Sequence, residues 1–431
     1  MKQTNNYRFF TWAKNLDCTA ACYYQPETEE EIIELVKKNE SIRVVGTGHS
    51  WSAICINTTA LVNLDHYNKV LQLNKEKQQV TVQPGIKLWQ LNDYLAKEGF
   101  ALANLGSIDE QSLAGVISTA THGSGIQFQV LASQVEELSI IKPNGDKWLL
   151  HRERDKDVFN LAIVGLGCLG IISEVTLNIV PAYQLHDQTT VEKFDEVIDK
   201  LDEYVNGTDH FKLWWFPHID EVVVYRYTRT NAPRNDWRIR QWLMDELLSV
   251  NVYRLLLAIG NINRNWRKVI NRLLVQKFMQ PLDRIEQSHK VFVVPKPPLH
   301  RETEWGFDIA VSKQLLREYK QMINASSHRI NFIQEIRFSK ADSFALSPCY
   351  ERNTIWLGAY NADNVGWNEL LNDFEVLAKE YNGRPHWGKE FNIDKTYLQA
   401  QYPMLTSFNN LRQQVDPTGK FANHYTNQIF S

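Results

Sequence analysis

The chain has few cysteines, almost no net charge and no long apolar run, and each shortage excludes a class of protein. The five cysteines are Cys18, Cys22, Cys55, Cys168 and Cys349. An odd number with no charged-then-apolar leader ahead of them does not make a secreted disulfide scaffold, and it predicts a reducing, cytoplasmic setting. Glycosylation-like triplets at Asn57, Asn206 and Asn324 therefore carry no weight. The 47 basic and 50 acidic residues leave a net charge of -3, which excludes a whole-chain attraction to nucleic acid or to an anionic membrane. Internal repeats and low-complexity tracts are also missing. The apolar run Leu255-Leu256-Leu257-Ala258-Ile259 belongs to a stretch, 242–262, broken by Asp245, Glu246 and Arg254, so it does not span a bilayer. Basic residues follow it at Arg264, Arg267, Lys268, Arg272 and Lys277. The region reads as a solvated helix pair or, alternatively, as a peripheral membrane anchor.

What is present fits a globular chain: 43% hydrophobic and 23% charged residues over 431 positions, enough for two domains. Pro26-Glu27-Thr28 opens a helix in which Thr28 and Glu31 have capping-box spacing, with Ile32, Ile33, Leu35 and Val36 as its apolar side. Short strands are predicted over Ile42–Val45, Ala60–Leu64, Val70–Leu73 and around Val80 and Val82, and a helix over Leu88–Glu98 ended by Gly99. Alternating short strands and helices over the first 180 residues predict an α+β nucleotide-binding unit.

Three stretches carry chemistry. Val44–Trp51 reads Val-Val-Gly-Thr-Gly-His-Ser-Trp. Gly46 and Gly48 can adopt the positive φ values that align backbone N–H groups around an anion, and Ser50 adds a hydroxyl; a plain strand-ending turn has the same pattern. The stretch 104–125 is crowded with small and hydroxylated residues, among them Gly106, Ser107, Ser112, Gly115, Ser118, Thr119, Gly123 and Gly125. These leave room for a large planar or phosphorylated ligand, or else let a helix and loop pack tightly. Gly165-Leu-Gly167-Cys-Leu-Gly170 spells a dinucleotide fingerprint, but Ile171–Val180 behind it alternates like a strand, whereas the fingerprint opens a helix. Further on, Gln334-Glu335-Ile336-Arg337-Phe338 alternates so that Glu335 and Arg337 share one strand face, as a surface ion pair or as part of a pocket.

Ordered short identities then identify the chain as a member of the aldonolactone oxidase family of the vanillyl-alcohol-oxidase-type flavoproteins. They include Trp12-Ala13-Lys14, Val44 to Ser50, Asn104-Leu105-Gly106, Thr121-His122, Trp215-Phe216-Pro217-His218, Leu346-Ser347-Pro348-Cys349, Arg384-Pro385-His386-Trp387 and Asp416-Pro417-Thr418-Gly419. The resemblance implies a two-subdomain FAD-binding domain over 1–180 and an α+β substrate (cap) domain over 181–431, with 384–431 returning to the flavin site. It implies covalent attachment of FAD through His49. It also implies cofactor contacts from Gly46, Thr47, Gly48, Ser50, Ser107, Ser112, Gly115, Ser118, Thr119, Ile172 and His386. Glu335, Arg337 and Lys389 become catalytic and, with Ser107, substrate-binding residues, Lys389 lying in the family's His-Trp-Gly/Ala-Lys motif.

Related dehydrogenases carry a bulkier residue at the position of Gly106, so glycine there implies oxygen access and an oxidase; a turn that needs glycine is the alternative. The implied reaction is oxidation of a sugar-derived lactone of the L-gulono-1,4-lactone type, with dioxygen as acceptor and hydrogen peroxide as product. Alternatives are an alditol or xylitol oxidase and a dehydrogenase that uses a quinone or cytochrome. Thr47, Trp51, Gly388, Gly358 and Tyr360 depart from one or another branch of the family, and they leave the substrate rather than the cofactor open. No metal is implied.

Overall fold

The computed structural model describes the chain apart from residues 236–249, 264, 278, 280, 295–296, 327–329, 393 and 431. Three large sheets and a two-stranded ribbon, Phe100–Ala101 with Val180–Pro181, organise the described residues. A four-stranded sheet runs in the order Lys2–Phe10, Asp17–Gln25, Ala60–Asn63, Arg43–Val45, with the last two pairings parallel. The helix Glu29–Lys38 packs on it through Ile32, Leu35 and Val36. Thr28 caps that helix by accepting from the Glu31 N–H at 3.3 Å. Glu31 returns its carboxylate to the Glu27 N–H at 2.8 Å, one residue earlier than a capping box would place it.

A five-stranded antiparallel sheet follows, in the order Val70–Asn74, Gln79–Val82, Ile171–Asn178, Val135–Ile141, Lys147–His151. The glycine-rich segment 165–170 joins the helix Lys156–Ala162 to the strand Ile171–Asn178, so it is a turn and opens no helix. Its backbone visits positive φ at Leu166, Gly167 and Gly170, and a Cβ on Gly170 would lie 2.3 Å from the Ile141 carbonyl oxygen.

The third sheet has eight antiparallel strands, at whose centre His210–Trp215, Gln334–Ser339, Thr354–Asn361 and Arg301–Asp308 lie side by side. Helices Phe194–Asp199, Ser312–Ala325 and Trp367–Glu380 cover one face. There Leu213, Trp305, Ile336, Phe338 and Leu357 meet Phe194, Tyr319 and Phe374 in a buried core. The opposite face carries Lys212, Glu335 and Arg337 together with Trp214, Val223 and Tyr360, because successive side chains of a strand point to opposite faces.

The chain beyond 384 packs back on the N-terminal part. The Trp51 N–H donates to the Gly388 carbonyl at 2.7 Å, and the Ile42 N–H donates to that of Lys420 at 2.8 Å. Leu405, Phe408, Ile429 and Phe430 join the core that contains Val45, Leu61 and Ile117. Helices Val250–Ile262 and Trp266–Lys277 pair with each other and bury Tyr253, Leu257, Ile270 and Leu274 against the large sheet. Among the described residues no helix is long and apolar enough to cross a membrane. Positions 242–249 and Arg264 of the basic-apolar stretch lie outside the described residues.

Candidate active site

A groove runs between the two smaller sheets. Gly46, Thr47, Gly48, His49, Ser50, Ser112, Gly115, Ser118, Thr119 and Ile172 all line it. The segment 104–125 divides between the groove and close packing. Ser112, Gly115, Ser118 and Thr119 line the groove, whereas Gly123 admits the close approach of the Leu105 carbonyl, 2.3 Å from where its Cβ would be. Gly48 has φ +73°, the left-handed value that turns a backbone N–H inward. Gly46 does not share it; there the absence of a Cβ makes room for Ser112, whose Oγ lies 2.2 Å from where that Cβ would be.

His49 is held in the groove by Thr47 Oγ1, 2.7 Å from Nδ1, with Nε2 3.7 Å from Glu110 and the ring stacked on Trp12 at 5.6 Å. The buried Arg43 also lines the groove and donates to the carbonyls of Leu166 at 2.8 Å and Phe421 at 2.6 Å. A long phosphorylated, ring-bearing cofactor fits these walls: glycines where side chains would fill the space, hydroxyls of Thr47, Ser50, Ser118 and Thr119 as donors, and one histidine in reach.

Next to the groove, on the Glu335 face of the large sheet, lies a second cavity of about 190 Å³. Ser107, Glu335, Arg337 and Lys389 line it, with Trp214, Tyr253, Phe332 and Tyr360 as its aromatic walls. Strand alternation places Glu335 and Arg337 there while Ile336 and Phe338 enter the core behind. Arg337 is bonded to one Glu335 oxygen; Trp214 Nε1 donates to the other at 2.9 Å and Lys212 Nζ approaches it at 3.4 Å. Burial alone would raise the Glu335 carboxyl, but Arg337 and Lys212 outweigh it and hold it at about 2. Burial weakens the Lys212 ammonium, which Glu335 partly offsets. Ser107 sits on this cavity, and its Oγ accepts from Arg337 at 3.1 Å.

Lys389 Nζ pairs with Glu302 Oε1 at 2.5 Å and stands over the Trp51 ring at 4.2 Å. The other Glu302 oxygen lies 3.6 Å from His300 Nε2. Below the cavity, His122 stacks on Trp356 at 3.7 Å and approaches Glu304 Oε2 at 3.5 Å. Despite burial, which raises it, the Glu304 carboxyl is held well below its ordinary range, chiefly by His122. His386 lines neither cavity. Its Nδ1 accepts from the Gly388 N–H at 3.0 Å, and burial pushes its imidazole down to about 3, so it is neutral.

Lys212, His300, Glu302, Glu304 and His122 escaped the sequence reading. A signal was available for two of them: Glu302 and Glu304 alternate along one strand, so they share a face as Glu335 and Arg337 do, and His300 stands just before that strand begins.

A cofactor groove abutting a charged cavity on an antiparallel sheet defines an FAD-dependent oxidoreductase with the vanillyl-alcohol-oxidase type of fold. The fold matches that of cholesterol oxidase from B. sterolicum with a TM-score of 0.83, covering 100% of this chain and 97% of that one at 16% identity. An FAD binding domain profile matches residues 20–148. The D-arabinono-1,4-lactone oxidase family profile matches residues 175–429, and the chain belongs to that family. It is 32% identical to L-gulonolactone oxidase of Mus musculus over 98% of each chain. It is also 28% identical to L-gulono-1,4-lactone dehydrogenase of Mycobacterium tuberculosis, over 97% of this chain and 98% of that one.

Proposed function

We propose that this protein oxidises a CH–OH carbon of a sugar-derived lactone of the L-gulono-1,4-lactone type, with dioxygen as the final acceptor and hydrogen peroxide as product. The observation that carries this reading is the cavity in which Glu335, Arg337, Ser107 and Lys389 converge beside the groove. Bound FAD supplies the acceptor for the hydride. The residues of the chain do the rest. The Glu335 carboxylate, fixed by Arg337, Lys212 and Trp214, accepts hydrogen bonds from substrate hydroxyls. Arg337 donates to the lactone oxygens, and Lys389 adds positive charge where negative charge collects. Trp214, Phe332 and Tyr360 exclude water from a polyhydroxylated ring.

His49 is the residue to which we assign covalent FAD attachment, and Gly46, Thr47, Gly48, Ser50, Ser112, Gly115, Ser118, Thr119 and Ile172 the remaining cofactor contacts. We divide the chain into a flavin-binding part, 1–180, and a substrate part, 181–431, whose segment 384–431 closes the flavin site. Five unpaired cysteines support a cytoplasmic location.

The name of the M. tuberculosis relative favours a second reading, a dehydrogenase with another electron acceptor. Gly106 opposes it. Its φ is not positive, so no turn demands glycine there, and a side chain in its place would press on the His122 carbonyl oxygen, 3.3 Å from where its Cβ would be.

Acid precipitation of the purified protein, followed by mixing with L-gulono-1,4-lactone in air, tests the whole reading. Yellow colour is expected to stay with the pellet and peroxide to form. Colour in the supernatant removes the His49 linkage, and a flavin bleached by substrate but slow to recover in air selects the dehydrogenase.

A further inference from the structure

We propose that His300 is the group that takes the hydroxyl proton of the substrate. The inference rests on the lactone reading above and deepens it. Oxidising an alcohol carbon removes a hydride and a proton, so the cavity needs a proton acceptor. Its carboxylates are poor ones: Glu335 is held at about 2 by Arg337 and Lys212, and Glu302 is bound to Lys389 at 2.5 Å. Arg337 and Lys389 are cations without a lone pair.

His300 differs from all of these. It lines the same cavity, and its Nδ1 lies 2.8 Å from the Pro298 carbonyl oxygen. A carbonyl can only accept, so Nδ1 carries a hydrogen, and Nε2 is the nitrogen left to take the substrate proton. Glu302 Oε2, 3.6 Å from Nε2, stabilises the imidazolium once the proton arrives. The ring cannot swing away: it stacks on Phe332 at 4.5 Å, meets Trp12 and Trp51 at 5.5 Å and 5.3 Å, and its backbone carbonyl accepts from Trp51 Nε1 at 2.9 Å. This is the arrangement of a general base oriented through one nitrogen and backed by a carboxylate. Glu302, Lys389 and Tyr360 are the charged and titratable groups around it, with Tyr253, Glu335 and Arg337 further round the cavity.

In the step, the substrate O–H bond breaks and its proton bonds to Nε2. The freed electron pair forms the second bond of the new carbonyl, as the hydrogen on that carbon leaves as hydride to oxidised FAD. Two electrons and one hydrogen pass to FAD, and the proton passes from His300 to solvent.

The test mixes FAD-loaded protein with L-gulono-1,4-lactone without oxygen and follows flavin bleaching from pH 5 to 9. Wild type is expected to speed up with pH along a one-proton limb. H300Q, at unchanged flavin content, is expected to lose that limb and about 100-fold in rate, and added imidazole to restore part of the rate of H300A. Histidine nitrogen NMR of the substrate-free protein, with His300 assigned by its loss in H300F, reads the tautomer independently of turnover. It is expected to show hydrogen on Nδ1. An H300Q protein with the wild-type rate and limb, or hydrogen on Nε2 in the resting protein, overturns the role of His300. Absence of bleaching in wild type with this and other aldonolactones overturns the lactone reading and this role with it.

Discussion

At the residue scale the cavity consists of cations and carboxylates that hold one another in place, so single changes should separate binding, proton transfer and oxygen access. Removing Lys389 as K389M takes away a positive charge next to the reacting centre and leaves Glu302 without its closest partner. Flavin bleaching by substrate is expected to fall about 100-fold with flavin content retained, and an unchanged rate would remove Lys389 from the mechanism. Gly106→Ala puts a methyl 3.3 Å from the His122 carbonyl oxygen, tight but tolerable. Bleaching should then persist while recovery in air slows by tenfold or more, measured in separate anaerobic and aerated runs.

Glu335 gives a pH prediction. Its carboxyl sits at about 2 in the fold against 4.5 ordinarily, so its ion pairs stabilise the protein fully above pH 4.5 and that stability is lost as pH falls toward 2. Glu335→Gln leaves Arg337 and Lys212 buried and uncompensated. It should lower the melting temperature at pH 7, with the gap to wild type closing as the buffer is taken from pH 5 to 3.

At the scale of elements, the period of a strand made part of the site legible and its neighbours hid the rest. Glu335 and Arg337 could be assigned to one face because Ile336 and Phe338 alternate with them inside a single run. The same period connects Glu302 and Glu304, but the tight stretch of apolar, charged and aromatic residues around them has no single dominant face: Thr303 and Trp305 are as buried as the glutamates, and His300 lies just outside the strand. Lys212 was illegible for a different reason. Its strand, His210–Trp215, borders Gln334–Ser339 through a pairing that joins residues more than a hundred positions apart, and only sheet order brings the lysine to Glu335. The glycine turn shows the converse. Sequence located it, while only the backbone could tell that Gly48 takes a positive φ and that Gly46 instead leaves room for the Ser112 hydroxyl. Because the reactive face rests on the core face of the same strand, Ile336→Ala should cost about 2–5 kcal/mol, read by denaturant unfolding. It should also reduce activity more than flavin content by loosening Glu335 and Arg337.

At the scale of the whole molecule, the C-terminal return ties the flavin groove to the substrate sheet. Arg43 is the hinge of that tie. Its guanidinium lines the groove and donates to the Phe421 carbonyl at 2.6 Å, next to the backbone bond from Ile42 to Lys420 at 2.8 Å. Lys420 Nζ in turn donates to the carbonyls of Val36 at 2.6 Å and Pro143 at 3.0 Å, which bridges the helix on the four-stranded sheet to the five-stranded one. Asn423 donates to the carbonyls of Ala53 and Ile56, both at 2.9 Å, just past the His49 turn. A chain ending after Val415 would lose all these partners at once, leaving the buried Arg43 cation short of an acceptor beside the cofactor. Such a truncation should lose flavin before it loses the large sheet. The expected outcome is a protein with native-like strand circular dichroism, little yellow colour and early protease cleavage in the first 180 residues. Full flavin content in the truncated chain would show that the groove closes without its C-terminal tie.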